Sequence, residues 1–576
     1  MVLAIIKTME IKKLKNIKEL KTLLLLVLII IGSTTLTLTM FRSGLSYDYG
    51  MGFWGANTHD GIWHISVSEQ ILKSFPPDHP IYSGFKLTNY HYFFNYLLAL
   101  LEVVSPFRIH NLYFQFIPII FSLSIGVLSF LVGNKWKGYW TGFWLAFFNY
   151  FGSSLGWLVT LFREGVLSGE STFWSMQSIS TLINPPYALS LIVILIGLYF
   201  FLVKRNGNFS SILIGIIFSS LIIIKAYSGI IVLFALAGLA LYSIFKKSYQ
   251  NLIIFISALF VSSIIFFLTN KGSASLFLYQ PLWFMHSMIE SPDRFYLPDL
   301  AIYRQNLQFQ GTGIRLIAVE LIIIFIFLIG NLSTRLIGFL AIFKNIFNKI
   351  TTELDIFLYF GLLAGLVPVI FFVQKGTAWN TVQFFYYFMF FLNFFAAKTL
   401  ADLTRKKKIN ILILAIIVIL TLPGVSSLRH YIFQPAAAIY PKEVEALNYL
   451  KNADDGIVLT YIFDPQNRQN KNELPIQLYN YDSTAYVSAF SGKQAFFEDE
   501  RNLEITSVSL PPEVRKKQLL EFFATENEVL AREFLLQNNI KYIYLVDKQK
   551  IMIEPTKLGI EMIFDNEKVR IYQVKK

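Results

Sequence analysis

The chain has 576 residues, of which 55% are apolar and only 15% are charged, and its mean hydropathy is +0.52. Soluble globular proteins are about 25% charged, so this chain lacks the polar surface that several soluble domains would need. The composition excludes a soluble enzyme and a disordered protein, and the absence of cysteine excludes a disulfide scaffold. It is typical of a polytopic membrane protein.

The net charge of +13 is unevenly distributed along the chain. Residues 431–576 hold 18 basic and 21 acidic residues, so the positive excess lies entirely in residues 1–430. There the basic residues form short clusters between apolar runs, as a membrane topology signal does. A nucleic-acid-binding protein would carry its basic residues on a folded polar face, so we expect no nucleic-acid partner.

Runs of about 20 apolar residues are long enough to cross a bilayer as helices. The sequence contains eleven such runs, at 22–41, 110–133, 138–161, 187–203, 209–225, 228–245, 251–269, 315–331, 356–373, 381–399 and 409–427. The first run follows a long basic segment with no A-x-A cleavage site, which predicts an uncleaved anchor.

The basic residues predict one orientation in the cell membrane. The Lys-rich start places the N-terminus in the cytoplasm. The same side receives Lys7–Lys21, Lys135/Lys137, Lys204/Arg205, Lys246/Lys247, Lys344/Lys349 and Arg405–Lys408. Because the number of spans is odd, the sequence predicts a transmembrane domain over 1–430 and an extracytoplasmic α/β domain over 431–576.

Two long loops, 42–109 and 270–314, lie on the predicted outer side and hold many of the acidic residues of the membrane part. All seven histidines also fall on that side or at its interface: His59, His64, His79, His91, His110, His286 and His430. Outer loops contain most of the non-apolar residues in any case, which explains part of this bias. The remainder indicates an acidic, histidine-rich vestibule at the outer surface.

The first long loop contains the strongest catalytic candidate, Asp60. Asp60 can cap a helix lying flat on the membrane, and His64 follows four residues later on the same face. His91 lies in the aromatic run 89–96. Asp60, His64 and His91 could converge as a general base or as ligands of a divalent cation, with His59 as a further candidate. The alternative is that Asp60 only caps its helix and the histidines are interfacial polar groups.

Basic residues on the predicted outer side are few: Lys225, Lys375 and Arg294. An ammonium or guanidinium group at the headgroup level suits a lipid phosphate, although long cationic side chains also extend to the interface for solvation alone. Glu320 lies within the eighth predicted span, and a carboxylate inside a membrane is a functional candidate.

Beyond Pro441 the pattern changes to alternating helices and strands. We predict helices at 441–452 and 513–524, a capping box from Thr525 to Glu528, and strands at 456–463, 485–490, 541–546 and 569–574. No dinucleotide fingerprint, P-loop or Cys/His ligand set is present. We interpret this module as a substrate-cover or partner domain.

Together these features resemble the GT-C superfamily of membrane glycosyltransferases. In short sequence segments the chain also resembles the prokaryotic YYY-type membrane proteins. The resemblance to the YYY-type proteins lies in the segments Trp379–Tyr386, Ser488–Gly492 with Phe497-x-Asp499-Glu500, and Ile540–Tyr544 before Val569–Tyr572. The resemblance to the GT-C superfamily implies a polyprenyl-phosphate-sugar donor and a catalytic carboxylate in the first outer loop, where Asp60 is the matching position. Many members have two adjacent acidic residues there, whereas this chain has His59-Asp60.

An inverting transferase of this kind needs a base for the acceptor hydroxyl and a cation for the departing phosphate. The resemblance therefore implies hexosyl or pentosyl transfer to a glycan, lipid or protein acceptor on the outer face, within a shell of membrane lipids. Asp60 would be the base, and Lys225, Lys375, Arg294 or a divalent cation would hold the phosphate. The alternatives are a non-catalytic envelope assembly protein and a transporter or flippase of lipid-linked glycans.

Overall fold

Long apolar helices dominate the first 430 residues of the computed structural model. The structure describes residues 17–88, 90–203, 207–269, 277–311, 313–405, 410–465, 474–506 and 511–575. Three predicted basic clusters lie outside these residues: Lys7–Lys15, Lys204/Arg205 and Lys406–Lys408.

Nine apolar segments of the described chain are long enough to cross a membrane. They are Glu19–Leu38, Ile109–Lys137, Pro185–Val203, Ala226–Phe245, Gln250–Leu268, Gly313–Phe347, Glu353–Phe371, Ala378–Arg405 and Ile411–Ile432. Each of them overlaps one of the eleven predicted spans. The protein is therefore a multi-pass membrane protein.

The two remaining predicted spans are broken helices. The predicted span 138–161 is a pair, Tyr139–Phe151 and Gly156–Glu164, bent by 44°, and it makes a tenth crossing if it is counted as one. The predicted span 209–225 is Asn208–Ser219 followed by Leu221–Ile224, which together are shorter than a typical crossing. In the bent pair, the backbone between the two helices bonds to other parts of the chain, as where Leu155 N donates to Gly330 O at 2.8 Å.

A buried guanidinium stands among these helices. Arg335 is 2% exposed. Its Nε donates to Asn393 Oδ1 at 2.9 Å, and its two terminal nitrogens donate to Ser153 O at 3.2 Å and Ser178 Oγ at 2.9 Å. Because a buried charge is costly unless its donors are satisfied, these bonds fix the helix break near Ser153 against the neighbouring helices.

The region beyond residue 430 packs on the first long loop through a shared sheet. Its strands lie in the order Ser46–Tyr47, Gly50–Phe53, Ala437–Ile439 and Ile476–Gln477. The second strand is antiparallel to both of its neighbours, with Met51 opposite Ile439, and the last two strands are parallel. The first long loop and the C-terminal region are thus one structural unit.

A second sheet forms the core of the C-terminal region. Its strand order is Ile457–Thr460, Ile540–Val546, Val569–Val574 and Ile560–Asp565. The helices beside it are Pro441–Asn452, Pro512–Ala524 and Glu528–Gln537, with short helices at Leu478–Tyr481, Tyr486–Ser491, Glu500–Ile505 and Pro555–Leu558. This arrangement confirms the predicted α/β fold, the helices at 441–452 and 513–524 and three of the four strands.

The loops contain further short elements. They are the helices Asp60–Ile71, Phe93–Val104, Trp283–Glu290 and Pro298–Gln310 and the strand pair Phe277–Tyr279 with Phe372–Gln374.

Two local predictions for the C-terminal region are wrong. The segment 485–490, predicted as a strand, is part of the helix Tyr486–Ser491. The helix starting at Glu528 is capped by Asn527, whose side chain accepts from Val529 N and Leu530 N, and not by a box from Thr525.

Candidate functional site

The helix of the first long loop starts at Asp60 and runs to Ile71. Every residue from Gly61 to Ile71 is buried, whereas the Asp60 side chain is 60% exposed. The N-cap residue is His59, and Asp60 is the first helical residue, so the prediction that Asp60 caps this helix is wrong. The prediction that the helix lies flat on the membrane is also wrong, because protein surrounds it on all sides.

Asp60 stands where the helix enters the packed interior. A Cβ added to Gly61 would lie 2.7 Å from Phe114 Cζ, so only glycine lets the helix approach this ring. The chain therefore passes from an exposed carboxylate at Asp60 to a closely packed residue at Gly61.

His59 lies between two carboxylates. Its Nδ1 is 3.2 Å from Asp60 Oδ1, and its Nε2 is 3.1 Å from Asp499 Oδ1 of the C-terminal region. Burial lowers the pKa of His59, but hydrogen bonds and charges from Asp499 and Asp60 outweigh burial and raise it to about 10. His59 is therefore a cation at neutral pH, in contact with the predicted base.

His64 and His91 are uncharged. His64 Nδ1 is 3.3 Å from Asn95 Oδ1, and burial lowers the pKa of His64 to about 4. The His91 ring stacks on Tyr90, with 4.8 Å between centroids, and burial together with the charge of Lys225 lowers its pKa well below the usual value.

The described residues contain no group of three histidine, aspartate or glutamate side chains that could hold a metal ion. Asp60, His64 and His91 are near one another but do not form the predicted ligand set, and one ring nitrogen of His64 already faces Asn95.

Lys225 faces the same cluster from a helix break. The break leaves Lys225 with extended backbone, φ −157°, between Leu221–Ile224 and Ala226–Phe245. The residue is buried, and its Nζ donates to Asn184 Oδ1 at 3.3 Å. Its charge acts on His64 and His91, and the charge of Asp60 acts on Lys225. The structure thus brings Asp60, His64, His91 and Lys225 together.

Lys375 lies on a turn next to the helix that follows Lys225. The Tyr227 hydroxyl donates to Gln374 Oε1 at 2.7 Å, which fixes the preceding residue of that turn. The Lys375 side chain itself is exposed. It is therefore available to a ligand.

Arg294 is engaged by the protein. Its guanidinium is 3.8 Å from the centroid of the Trp174 ring. One terminal nitrogen donates to Ser171 O at 2.8 Å, and Nε is 3.3 Å from Asp293 Oδ2. These contacts occupy much of its binding capacity.

Glu320 belongs to a different polar cluster. His286 Nε2 is 2.7 Å from Glu320 Oε2, and Arg304 lies 3.6 Å from the other carboxylate oxygen and 3.0 Å from Glu290. These side chains line a cleft of about 710 Å³ beside the second long loop. The contacts of Glu320 are made within this cleft and do not reach Asp60.

Three residues that the sequence analysis did not select lie at or near the site: Asp499, Glu170 and Tyr431. Glu170 is buried, burial raises its pKa, and it accepts a hydrogen bond from Ser180 Oγ. The charges of Glu170 and Asp60 both act on Tyr431, so this ring lies within electrostatic range of both acids. Glu170 could have been found from its position in the 162–186 connection, which the predicted topology puts on the outer side.

Comparison with known proteins identifies the fold. No protein-family model and no curated protein matches the sequence. The crystal structure of the Archaeoglobus fulgidus oligosaccharyltransferase in complex with Zn and sulfate is similar over 90% of this chain and 68% of that chain, with a TM-score of 0.52 and 13% identity. The same enzyme tethered to an acceptor peptide covers 91% and 69%, with a TM-score of 0.46 and 11% identity. The chain therefore shares the fold of this oligosaccharyltransferase over most of its length.

Proposed function

We propose that this protein is an integral membrane glycosyltransferase that moves a sugar from a polyprenyl-phosphate donor to an acceptor on the outer face of the cell membrane. The single observation that carries the proposal is the Asp60 carboxylate, which is 60% exposed at the start of an otherwise buried helix and contacts the cationic His59. A hexose or pentose and a glycan, lipid or protein acceptor all fit this chemistry.

Asp60 is the proposed general base. Its carboxylate takes the proton of the acceptor hydroxyl while the acceptor oxygen attacks the anomeric carbon of the donor sugar. The bond between that carbon and the phosphate oxygen breaks, and the polyprenyl phosphate leaves with the bonding electron pair. A positioned base contributes about 10²- to 10⁴-fold to such a step.

Lys225 and Lys375 are the proposed contacts of the donor phosphate. Lys225 is fixed at a helix break within electrostatic range of Asp60, and the exposed Lys375 lies on the turn beside the next helix. Positive charge there stabilises the negative charge that develops on the leaving phosphate. Arg294 is a weaker candidate for this contact than the two lysines, since Ser171 and Asp293 already engage its guanidinium.

A transfer assay tests the proposal. Membranes containing the wild-type protein or Asp60→Asn receive a panel of radiolabelled polyprenyl-phosphate sugars, each with and without EDTA. The matched control is Asp78→Asn, another acid of the first long loop, which pairs with Lys86 at 2.8 Å. We expect the control to retain transfer and Asp60→Asn to lose it while still binding donor. Equal transfer by both variants would contradict the assignment of Asp60, and EDTA sensitivity would show a requirement for a divalent cation.

The orientation is part of the proposal, with the N-terminus cytoplasmic and the C-terminal region outside. The sequence contains no cysteine, so single cysteines can be introduced for labelling without further changes. In intact cells, Asp454→Cys should react with a membrane-impermeant maleimide, because the Asp454 side chain is 88% exposed. Lys349→Cys, on the predicted cytoplasmic side, should react only after the cells are opened. The reverse pattern would overturn the orientation.

A further inference from the structure

We propose that Asp499, from the region beyond residue 430, is a positioning residue for Asp60 and acts through His59. The C-terminal region would then complete the site rather than only cover it. This inference rests on the proposed role of Asp60 as the base.

We call Asp499, His59 and Asp60 the relay, because His59 contacts both carboxylates. Each ring nitrogen faces a carboxylate oxygen, Asp60 Oδ1 at 3.2 Å and Asp499 Oδ1 at 3.1 Å. An imidazole ring donates from both nitrogens only when it is protonated, so the arrangement is a cation between two anions. The side chain of Asp499 is fully buried, that of His59 is 14% exposed, and that of Asp60 is 60% exposed. The order runs from the protein interior to the reacting group.

Asn502 holds the Asp499 carboxylate in place. Its Oδ1 accepts from Asn502 N at 3.3 Å and its Oδ2 accepts from Asn502 Nδ2 at 2.7 Å. Asp499 is also the N-cap residue of the helix Glu500–Ile505, and its backbone at φ +49° lies in the left-handed region that aspartate adopts more readily than most residues other than glycine.

The contacts of the preceding residue, Glu498, fix the backbone next to Asp499. Its buried carboxylate accepts from Val487 N at 2.8 Å, Ser488 N at 3.1 Å and Ser488 Oγ at 2.6 Å. Its backbone N–H donates to Ile81 O of the first long loop at 3.1 Å. The two segments noted in the sequence, Ser488–Gly492 and Phe497–Glu500, are therefore one structural unit that is locked to the first long loop and directs Asp499 at His59.

The relay acts on catalysis through orientation. His59 binds one oxygen of Asp60, which leaves the other oxygen to accept the proton of the acceptor hydroxyl. Neither His59 nor Asp499 need touch the substrate. A small misplacement of a reacting group costs about 100-fold in rate, so loss of the relay should lower kcat by about 10- to 100-fold with little effect on the KM for the donor.

The first variant is Asp499→Asn, which keeps the side-chain volume and an N-cap oxygen for Asn502 N and removes the charge. The matched control is Glu500→Gln, the next residue, whose carboxylate pairs with Lys516 at 2.8 Å on the surface. We expect Asp499→Asn to lose kcat with an unchanged donor KM, and Glu500→Gln to match the wild type. Wild-type kcat in Asp499→Asn would overturn the inference.

A double-mutant cycle with His59→Gln separates positioning from a purely structural role. If Asp499 acts through His59, the double variant should lose no more kcat than His59→Gln alone. Losses that multiply would overturn the relay. If Asp499→Asn does not fold, His59→Gln alone must show reduced kcat at unchanged KM, and wild-type kcat there would refute the inference.

The outcome for Asp60→Asn distinguishes this inference from the proposed function. An active Asp60→Asn variant would overturn both the proposed role of Asp60 as the base and the proposed relay. An inactive Asp60→Asn variant beside a fully active Asp499→Asn variant would leave the glycosyltransferase proposal intact and overturn only the relay.

Discussion

An ion pair joins the C-terminal region to the first long loop, and breaking it should loosen their association. Lys451 Nζ is 2.7 Å from Glu69 Oε1, and the two side chains are 28% and 8% exposed. Lys451→Met keeps the length of the side chain and leaves the buried Glu69 carboxylate without its cation. Breaking a fully buried pair costs about 3–5 kcal/mol. Because Lys451 is partly hydrated, we expect about 2–3 kcal/mol here.

Thermal unfolding of the detergent-solubilised protein, followed by tryptophan fluorescence, measures this cost. A loss of this size should lower the midpoint of the C-terminal region by roughly 7–10 °C. The control is Lys442→Met, whose partner Glu567 is 2.6 Å away but whose side chains are 48% and 88% exposed. An exposed pair contributes little to stability, so this midpoint should hardly move.

The double variant Lys451→Met/Glu69→Gln should recover part of the lost stability, because a neutral amide is less costly to bury than an unpaired carboxylate. Equal midpoints for Lys451→Met and Lys442→Met would refute the argument that Glu69 and Lys451 hold the two parts together.

Three further predictions concern other charged groups. Lys225→Gln should reduce transfer by about 100-fold or more in the same membrane assay, because the leaving phosphate loses a fixed cation; unchanged transfer would exclude this role. Arg335→Met should destabilise the membrane helices by about 3 kcal/mol or more, since the buried acceptors of its guanidinium lose their donor, and a wild-type unfolding midpoint would contradict this. Asp499 and Asp60 raise the pKa of His59 from 6.5 to about 10, so the stability it contributes is complete below pH 6.5 and is lost as the pH rises towards 10. His59→Gln should therefore flatten the fall in unfolding midpoint between pH 7 and 10, and an equal fall in both proteins would contradict the pairing.

The membrane helices could be predicted from sequence because each one depends on a local property, the length of an apolar run. The same holds for the strand Val569–Val574, which the structure has with the predicted bounds. The presence of a helix next to Asp60 could also be predicted, although its N-cap is His59 and not Asp60.

Features that depend on distant contacts were not predictable. The β-branched and aromatic residues of 485–490 favour a strand, but the Glu498 carboxylate takes the amides of Val487 and Ser488 as a helix start. The loop helix was expected on the membrane surface, yet Gln70 donates to Gly492 O, 422 residues away, and is buried by that contact. His59 and Asp499 are 440 residues apart, and no pattern in either segment indicates the other.

The most direct test of the account is sugar transfer by Asp60→Asn beside Asp78→Asn, with donor binding measured on the same membranes. The account predicts that both variants bind the polyprenyl-phosphate sugar and that only Asp60→Asn fails to transfer it, by about 10²-fold or more. Transfer by Asp60→Asn at the rate of Asp78→Asn would contradict the central claim that the exposed carboxylate of the first long loop is the base.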